Sequence, residues 1–317
     1  VRPADALTLT QNLRFLGTNS LTVSGAVALP AAKSIQVDAN TLTLSGVVSG
    51  AFALTKTGAG TLGLSGANTF SGGLNVNQGL VQLNLGGSGT LASQALAFGG
   101  TAGFTTDNTG ATVAKTLALG ALSASGGDAS ITLNRTAAFN TTLSFTSLAA
   151  RSNGGTLNFA ATGTGSSLGT TELVTLTGQT SVAFLGAGYF YNGTNFAATN
   201  ASANVIAATL VATPGAATLG TTTSASLLDV TGPITAQTTG AVGALRFANA
   251  TAANNALTLA DANTLQVNGI LKSGANAGTI SVAAGGTAGS LMPVIGTQDL
   301  VFRTDAAGDV LTLGQYV

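Results

Sequence analysis

The chain has 317 residues, only 6% of them charged, and its ten acidic and ten basic side chains give a formal net charge of zero. Ordinary soluble domains carry about 25% charged residues, and nucleic-acid binding needs clustered Lys and Arg, so we expect no nucleic-acid partner. With 45% hydrophobic residues the chain can bury a core, which argues against disorder. A transmembrane helix needs about 20 consecutive apolar residues; the sequence has no such run, so we expect no transmembrane segment.

A short repeat near the N-terminus predicts the first strands. The copies read SLTVSG at 20–25, TLTLSG at 41–46 and TLGLSG at 61–66, at spacings of 41 − 20 = 21 and 61 − 41 = 20, and a looser copy, LVQL, follows at 80–83. Each copy alternates apolar and polar residues, as half-buried strands do. Gly, Asn and Ser cluster between the copies, where turns need them.

Similar segments recur further along the chain. They are TLNF at 156–159, LVTLTG at 173–178, TLQVNG at 264–269 and VLTLG at 310–314. A longer similarity joins two regions, because LRF at 13–15 is followed by DANTLTLSG at 38–46, and LRF at 245–247 by DANTLQVNG at 261–269. This similarity suggests a duplicated, strand-rich module. Strong helix formers are scarce, so nearly all of the chain is predicted to be strand, turn or loop.

The repeat predicts an all-β fold, an elongated parallel β-solenoid (β-helix) with coils of about 20 residues. A repeat of this length cannot bury its own apolar face, whereas stacked copies form a continuous core. A Greek-key sandwich also has many short strands, but it does not require spacings of 20 and 21. Uniform composition predicts a single domain over 1–317, with its most regular repeat at 13–85, a looser region with insertions at 86–244, and a second module at 245–317.

The segment at 58–83 reads GAGTLGLSGANTFSGGLNVNQGLVQL and resembles the autotransporter-associated β-strand repeat, also called the passenger-associated transport repeat. The family pattern Gly-x-Gly-Thr-Leu-x-Leu-Ser-Gly is matched by Gly58, Gly60, Thr61, Leu62, Leu64, Ser65 and Gly66. Its Asn-Thr-Tyr-Ser-Gly is matched by Asn68, Thr69, Ser71 and Gly72, with Phe70 at the Tyr position, and its closing residues by Val76, Gly79 and Leu83, with Leu80 replacing Thr. The resemblance implies a β-helical passenger-type protein exported by a Gram-negative-type bacterium.

Candidate chemistry is sparse. The chain lacks Cys and His, so carboxylates are the remaining catalytic candidates, and we expect no catalytic residues, no metal and no cofactor. The tightest acidic cluster is Asp299, Asp305 and Asp309 with Arg303 among them, and Glu172 has no acidic neighbour in sequence. Paired acids can serve a polysaccharide-active β-helix enzyme, but Asp305 and Asp309 are better explained as turn residues whose side chains bind backbone amides. We therefore expect the protein not to be an enzyme.

Both ends of the chain have strand patterns and no recognisable cap. A solenoid without caps presents unpaired N–H and C=O groups at its ends. We therefore predict that copies join head to tail into a filament through strand addition. The candidate junction residues are Ala6, Leu7, Thr8 and Leu9 at one end and Val310, Leu311, Thr312 and Leu313 at the other.

The expected function is that of a structural subunit of a bacterial extracellular or cell-surface fibre, with the protein itself as partner in a homopolymer. A monomeric surface adhesin or exported autotransporter-type passenger is an alternative, and a polysaccharide-active enzyme is a weaker one. Surface polysaccharide and other cells are further candidate partners. The expected location is the cell surface or the extracellular space.

Overall fold

The computed structural model describes residues 5–179, 181–283, 288–294, 299–305 and 308–314. Contacts divide the chain into two compact units. Unit 1 is Val1–Ala183 with Thr199–Ile206, and unit 2 is Phe184–Ala198 with Ala207–Val317. The described residues contain no α-helix and one 3-10 helix, Ala252–Asn254. The single domain over 1–317 stays a prediction.

Unit 1 consists of short strands separated by turns. They are β1 (Leu7–Thr8), β2 (Leu13–Phe15), β3 (Leu21–Val23), β4 (Val27–Ala28), β5 (Lys33–Val37), β6 (Thr41–Leu44), β7 (Val48–Ser49), β8 (Leu54–Thr57), β9 (Thr61–Leu64), β10 (Leu74–Val76), β11 (Gly79–Asn84), β12 (Leu96–Phe98), β13 (Ala102–Asp107), β14 (Lys115–Ala124), β15 (Asp128–Arg135), β16 (Thr141–Leu148), β17 (Thr156–Gly163) and β18 (Leu173–Leu176). Three further strands lie at or beyond the unit boundaries: β19 (Ala183–Phe184), β20 (Tyr189–Tyr191) and β21 (Asn195–Thr199). They are followed by β22 (Val205–Ala207).

The strands of unit 1 stack into parallel sheets. Sheet 1 contains β1, β4 and β7 in that order, sheet 2 runs from β2 through β5, β8, β10, β12, β14 and β16 to β18, and sheet 3 runs from β3 through β6, β9, β11, β13 and β15 to β17. Successive strands of one sheet are separated in sequence by strands of the other sheets, so the chain winds in coils. Parallel pairing throughout these sheets excludes the antiparallel sandwich and confirms the predicted β-solenoid.

The predicted repeat copies stack directly on one another. Leu21 of β3 pairs with Leu42 of β6, Leu42 pairs with Leu62 of β9, and Leu62 pairs with Val81 of β11. The last three of these side chains are buried with at most 1% exposure. The alternation therefore correctly identified both the strands and the face that packs inward.

Coils grow along unit 1. The pair Leu54–Leu74 advances the chain by 74 − 54 = 20 residues, whereas the pair Asp128–Thr156 advances it by 156 − 128 = 28. The predicted coil length of about 20 holds for the regular region at 13–85, and later coils are longer. The inward ladder that starts at Val81 continues with Phe104, Ile131 and Phe159, all fully buried. Larger side chains thus fill the larger coils.

Unit 2 has the same construction. Its remaining strands are β23 (Val211–Thr213), β24 (Leu227–Val230), β25 (Ile234–Gln237), β26 (Gly240–Phe247), β27 (Ala256–Leu259), β28 (Asn263–Lys272), β29 (Gly278–Val282), β30 (Gly289–Met292), β31 (Val301–Thr304) and β32 (Leu311–Leu313). Sheet 4 contains β23, β24, β26, β28 and β30 in that order, with β31 also paired to β28, and sheet 5 contains β25, β27, β29 and β32. These pairs are parallel, and an apolar cluster of Leu, Val, Ile and Phe side chains lies within the unit.

The two LRF segments form strands with different ionic partners. Arg14 in β2 donates to Asp38 at 2.8 Å, and Asp38 begins the first DAN copy. Arg246 in β26 binds Asp229 of β24 instead, at 2.7 and 3.0 Å, because β24 lies beside it in register. Asp261, which begins the second DAN copy, accepts the amide of Ala288 at 3.1 Å. The two similar segments therefore make different contacts.

The glycine that ends each LSG copy is required by the close approach of successive corners. A Cβ on Gly66 would lie 2.3 Å from the carbonyl oxygen of Gly46, and a Cβ on Gly46 would lie 2.3 Å from that of Gly25. Real Cβ atoms do not approach a backbone oxygen so closely, so any side chain at these corners forces the coils apart. This contact explains why the repeat retains glycine at that position.

We expect Gly66→Ala to lower the free energy of unfolding by about 1–3 kcal/mol, the usual cost of forcing extra atoms into a packed site. Gly87→Ala is the matched control, because nothing lies within 4 Å of a Cβ there, and it should change stability by no more than about 0.5 kcal/mol. Urea denaturation followed by circular dichroism measures both. Equal losses for the two variants would contradict the close-approach explanation.

Candidate functional site

The first coil of unit 1 presents strand edges. Leu7 and Leu9 donate their amides to Ala26 at 2.8 Å and Ala28 at 3.0 Å, so β1 is hydrogen-bonded to β4 on one side. In the described part of the chain no strand pairs with the other side of β1, β2 or β3. Of the predicted junction residues here, Ala6 and Thr8 are exposed, Leu7 is half-buried and Leu9 is buried.

The last coil of unit 2 also presents edges. β32 pairs with β29, and the amide of Gly314 and the carbonyl of Val310 bond to Ile280 and Gly278, each at 2.7 Å. Among the described residues, no further strand covers the outer side of β30, β31 or β32. Large apolar side chains with 42–50% exposure lie on these strands or beside them: Met292, Phe302, Val310 and Leu313. The predicted junction residues Leu311 and Thr312 lie within β32, half-buried and exposed respectively.

A buried lysine occupies an inward position of sheet 2. Lys56 of β8 lies in the same ladder as Ile35 and Val76 and is fully buried. Its Nζ donates to the carbonyl oxygens of Thr57 at 2.7 Å, Gly58 at 2.6 Å and, in the next coil, Gln78 at 3.1 Å. These bonds use all three ammonium protons. Burial nevertheless disfavours the charged form and lowers the pKa of Lys56 from 10.5 to about 8.

Unit 2 contains a second lysine in a similar loop. Lys272 ends β28, is fully buried, and donates to Ser273 at 2.6 Å and Gly274 at 2.7 Å. The loop sequences are alike, Lys-Thr-Gly-Ala at 56–59 and Lys-Ser-Gly-Ala at 272–275. The third neighbour differs, because Lys272 Nζ lies 3.9 Å from the Asp309 carboxylate, whose side chain is 1% exposed. In unit 1 three carbonyl oxygens hold the amine and the charge of Asp38 also acts on it, whereas in unit 2 a buried carboxylate takes the place of the third carbonyl.

The structure brings together two of the three acids in the predicted cluster. Burial, a hydrogen bond to Asp309 and the charge of Asp309 raise the pKa of Asp305 to about 6, and the backbone of Gly274 binds its carboxylate. Asp299 is exposed, and the Arg303 guanidinium lies 4.5 Å from the centre of the Phe190 ring. The turn interpretation of Asp305 is thus correct in part, because its carboxylate binds a backbone amide.

Glu172 and the aromatic residues at 189–190 are buried. Tyr189 and Phe190 are buried in a hairpin of β20 and β21, where Phe190 stacks on Phe196 with ring centres 5.7 Å apart. Glu172 is fully buried, accepts the Thr141 amide at 2.9 Å, and lies 3.7 Å from Arg135. Burial raises the pKa of Glu172. Neither site has the exposure that a surface ligand needs.

Comparison with known proteins gave one family match. Residues 54–83 match the family model described as passenger-associated-transport-repeat. The resemblance at 58–83 is thereby confirmed, and the matched segment includes Lys56. The chain matched no curated protein and no solved structure. Of the described residues, none belongs to a helix long and apolar enough to cross a membrane.

Residues of the passenger-associated transport repeat have identifiable contacts. Asn68 is 2% exposed, accepts the Val48 amide at 3.0 Å and donates to Gly66 at 2.8 Å and Thr90 at 3.0 Å, so one side chain joins three coils. Phe70, at the position usually taken by Tyr, is fully buried. The repeat pattern in this chain is thus a set of coil-to-coil contacts.

Sequence reasoning missed both lysines. The signal was present, because Leu54, Thr55 and Lys56 alternate in the same way as the neighbouring strands, which places Lys56 inward. A buried lysine contradicts the usual burial preferences, and the carbonyl oxygens at the corner of the coil make the position of Lys56 tolerable.

The pH dependence of stability tests the environment of Lys56. Its folded-state pKa of about 8 lies below the usual 10.5, so between these values the unfolded chain binds more protons than the folded one. Stability must therefore rise with pH across this window, by on the order of 2–3 kcal/mol for a fully expressed shift. Well below pH 8 Lys56 is protonated in both states, so its contribution to the free energy of unfolding no longer changes with pH. Urea denaturation at pH values from about 7.5 to about 10.5 covers the range between the folded-state and unfolded-state pKa. In this range the free energy of unfolding of Lys56→Met should not show the rise.

Lys33→Met is the matched control. Lys33 lies in the preceding coil and binds the Thr10 carbonyl at the surface, and this variant retains Lys56. It should reproduce the wild-type rise. An identical rise in Lys56→Met would contradict the assignment to Lys56.

Proposed function

We propose that the chain is a structural subunit of a bacterial extracellular or cell-surface fibre, in which copies join head to tail through their terminal strands. The observation that carries the proposal is the pair of open edges. The first coil of unit 1 and the last coil of unit 2 each have unpaired strand sides among the described residues.

Side-chain exposure supports a second copy as the occupant of these edges. Leu16 and Leu21 beside the first coil are 65% and 43% exposed, and four large apolar residues are exposed at the last coil of unit 2. A net charge of zero leaves little repulsion between identical chains. Strand addition would satisfy the unpaired backbone groups while covering these apolar side chains.

A second candidate is an exported, passenger-type surface protein that stays monomeric. The match of residues 54–83 to the passenger-associated transport repeat supports it, and the same match supports a location at the surface of a Gram-negative-type bacterium. Protease treatment of intact producing cells tests that location, because a surface protein is degraded while cytoplasmic markers survive. Surface polysaccharide or other cells would be its partners.

The proposal assigns no catalytic activity to the chain. Its support is the burial of Glu172 and Asp309, whose side chains are 0% and 1% exposed. A polysaccharide-active enzyme needs two carboxyl groups that reach the sugar. Release of reducing ends from a polysaccharide by the purified protein would contradict this part of the proposal.

Thr8→Pro tests the assembly. The amides of Leu7 and Leu9 point toward β4, so the amide of Thr8, one residue out of phase, faces the open side. Proline removes that single donor and leaves the bonds to β4 in place. We expect wild-type protein to form filaments visible by electron microscopy, and Thr8→Pro to raise the concentration required for assembly at least about tenfold, which corresponds to one lost hydrogen bond and its unmatched partner.

Thr8→Ala is the control for that experiment, because it removes the side chain and keeps the amide. It should assemble like the wild type. Discrete monomers of the wild-type protein at high concentration would contradict the fibre and favour the monomeric surface protein.

A further inference from the structure

Lys272 lies close to two carboxyl groups of unit 2, those of the half-buried Asp305 and the buried Asp309 side chain. Lys272 pairs with Thr304 of β31, and the amide of Asp305 continues this pairing by donating to the Lys272 carbonyl at 3.2 Å. Asp309 then places its carboxylate 3.9 Å from Lys272 Nζ, with exposures of 1% and 0%. An amine and a carboxylate from segments far apart in sequence are thus held together in a dry site.

The Lys272–Asp309 contact is longer than a hydrogen bond, although both groups are buried. The amine is held instead by the carbonyls of Ser273 and Gly274, which fix its direction. The 3.9 Å separation is measured to Oδ1 of Asp309, and the amine must approach the adjacent Cγ before a bond can form.

Asp305 supplies the third group that such a reaction requires. It is hydrogen-bonded to Asp309, and burial together with Asp309 raises its pKa to about 6. A carboxyl group that exchanges its proton this easily near neutral pH can act as a general acid and base. Asp305 is in contact with the carboxyl group of Asp309, the group that lies beside the Lys272 amine.

We propose that Lys272 and Asp309 form an intramolecular amide bond between Nζ and Cγ, with Asp305 transferring the protons. The Lys272 ammonium gives one proton to the Asp309 carboxylate, and the neutral amine attacks Cγ, forming the C–N bond. Asp305 takes a proton from the nitrogen and gives it to the hydroxyl oxygen of the tetrahedral intermediate, while the other oxygen stays as the oxyanion that becomes the amide carbonyl. The C–O bond to that protonated oxygen then breaks, and the oxygen leaves as water.

The reaction balances without any other reactant. One ammonium and one carboxylate become one amide and one water, nothing is oxidised or reduced, and Asp305 returns to its starting state. The product joins the end of β28 covalently to the segment that precedes β32. This links the last coil of unit 2 to the coil before it.

Lys56 provides an internal comparison. It has a similar loop sequence and the same complete burial, but its third neighbour is the carbonyl of Gln78, and a peptide carbonyl is not a site for amide formation with loss of water. The amide bond is therefore expected at Lys272 and not at Lys56.

Mass spectrometry of the purified wild-type chain tests the proposal. The intact mass should be lower than the sequence mass by about 18 Da, one water. Acylated Lys272 resists trypsin, so the peptide that begins at Thr304 should be recovered attached to peptide 247–303, and fragmentation should place the bond between Lys272 and Asp309. An unchanged mass, or a loss of water located elsewhere, would overturn the proposal.

Variants separate the roles of the three groups. Lys272→Met and Asp309→Ala should have their full sequence masses, whereas Lys56→Met should keep the loss of about 18 Da. Asp305→Asn keeps the size of the side chain but cannot shuttle protons, and it should lower the cross-linked fraction at least about tenfold, as loss of a general acid–base does. Complete cross-linking in Asp305→Asn would remove Asp305 from the mechanism. The wild-type measurement decides the proposal even if a variant fails to fold.

Discussion

Stacked parallel strands lie about 4.7–4.9 Å apart, and the composition of the chain follows from that spacing. Each residue of a strand inside a sheet has a neighbour one spacing above and below it. Stacked like charges would repel at this distance, which is consistent with a charged fraction of 6%. At the corners of the first coils the backbones approach so closely that Gly46 and Gly66 have no room for a Cβ. Inside, Leu and Val ladders fill the small coils, and Phe ladders fill the larger ones.

The coil corners are also where polar groups enter the interior. A turn leaves carbonyl oxygens without strand partners, and these must be satisfied when they are buried. Asn68 does this with an amide side chain, and Lys56 with an ammonium. Both residues lie in the segment that matches the passenger-associated transport repeat. In unit 2 the corresponding lysine, Lys272, lies beside Asp309. The same type of buried lysine thus binds only carbonyl oxygens in unit 1, whereas in unit 2 it also has a carboxylate with which we propose it reacts.

In the same stacking, the first and last coils of the described residues are bonded on one side only. A strand in the middle of a sheet is bonded on both sides, whereas β1 and β32 are bonded on one side only within the described residues. Fibre formation and cross-linking would each stabilise these coils, by different means. Addition of another copy would cover an open edge, and an amide bond at Lys272 would prevent the last coil from separating. The two proposals are independent, since cross-linking needs no second copy.

The local pattern of the sequence determined the fold class, the strands of the first coils and their inward faces, because period-two alternation and glycine at fixed positions are properties of a few neighbouring residues. It also identified the repeat at 58–83 and the strands at the proposed junctions. Only the tertiary structure decided which residues meet across coils. Arg246 binds Asp229 rather than the Asp261 that the duplicated segment suggests, and Asp309 approaches Lys272. These contacts depend on coil lengths, which range from 17 residues at Leu228–Leu245 (245 − 228) to 33 at Gly278–Leu311 (311 − 278), and loop insertions set those lengths without leaving a periodic signal.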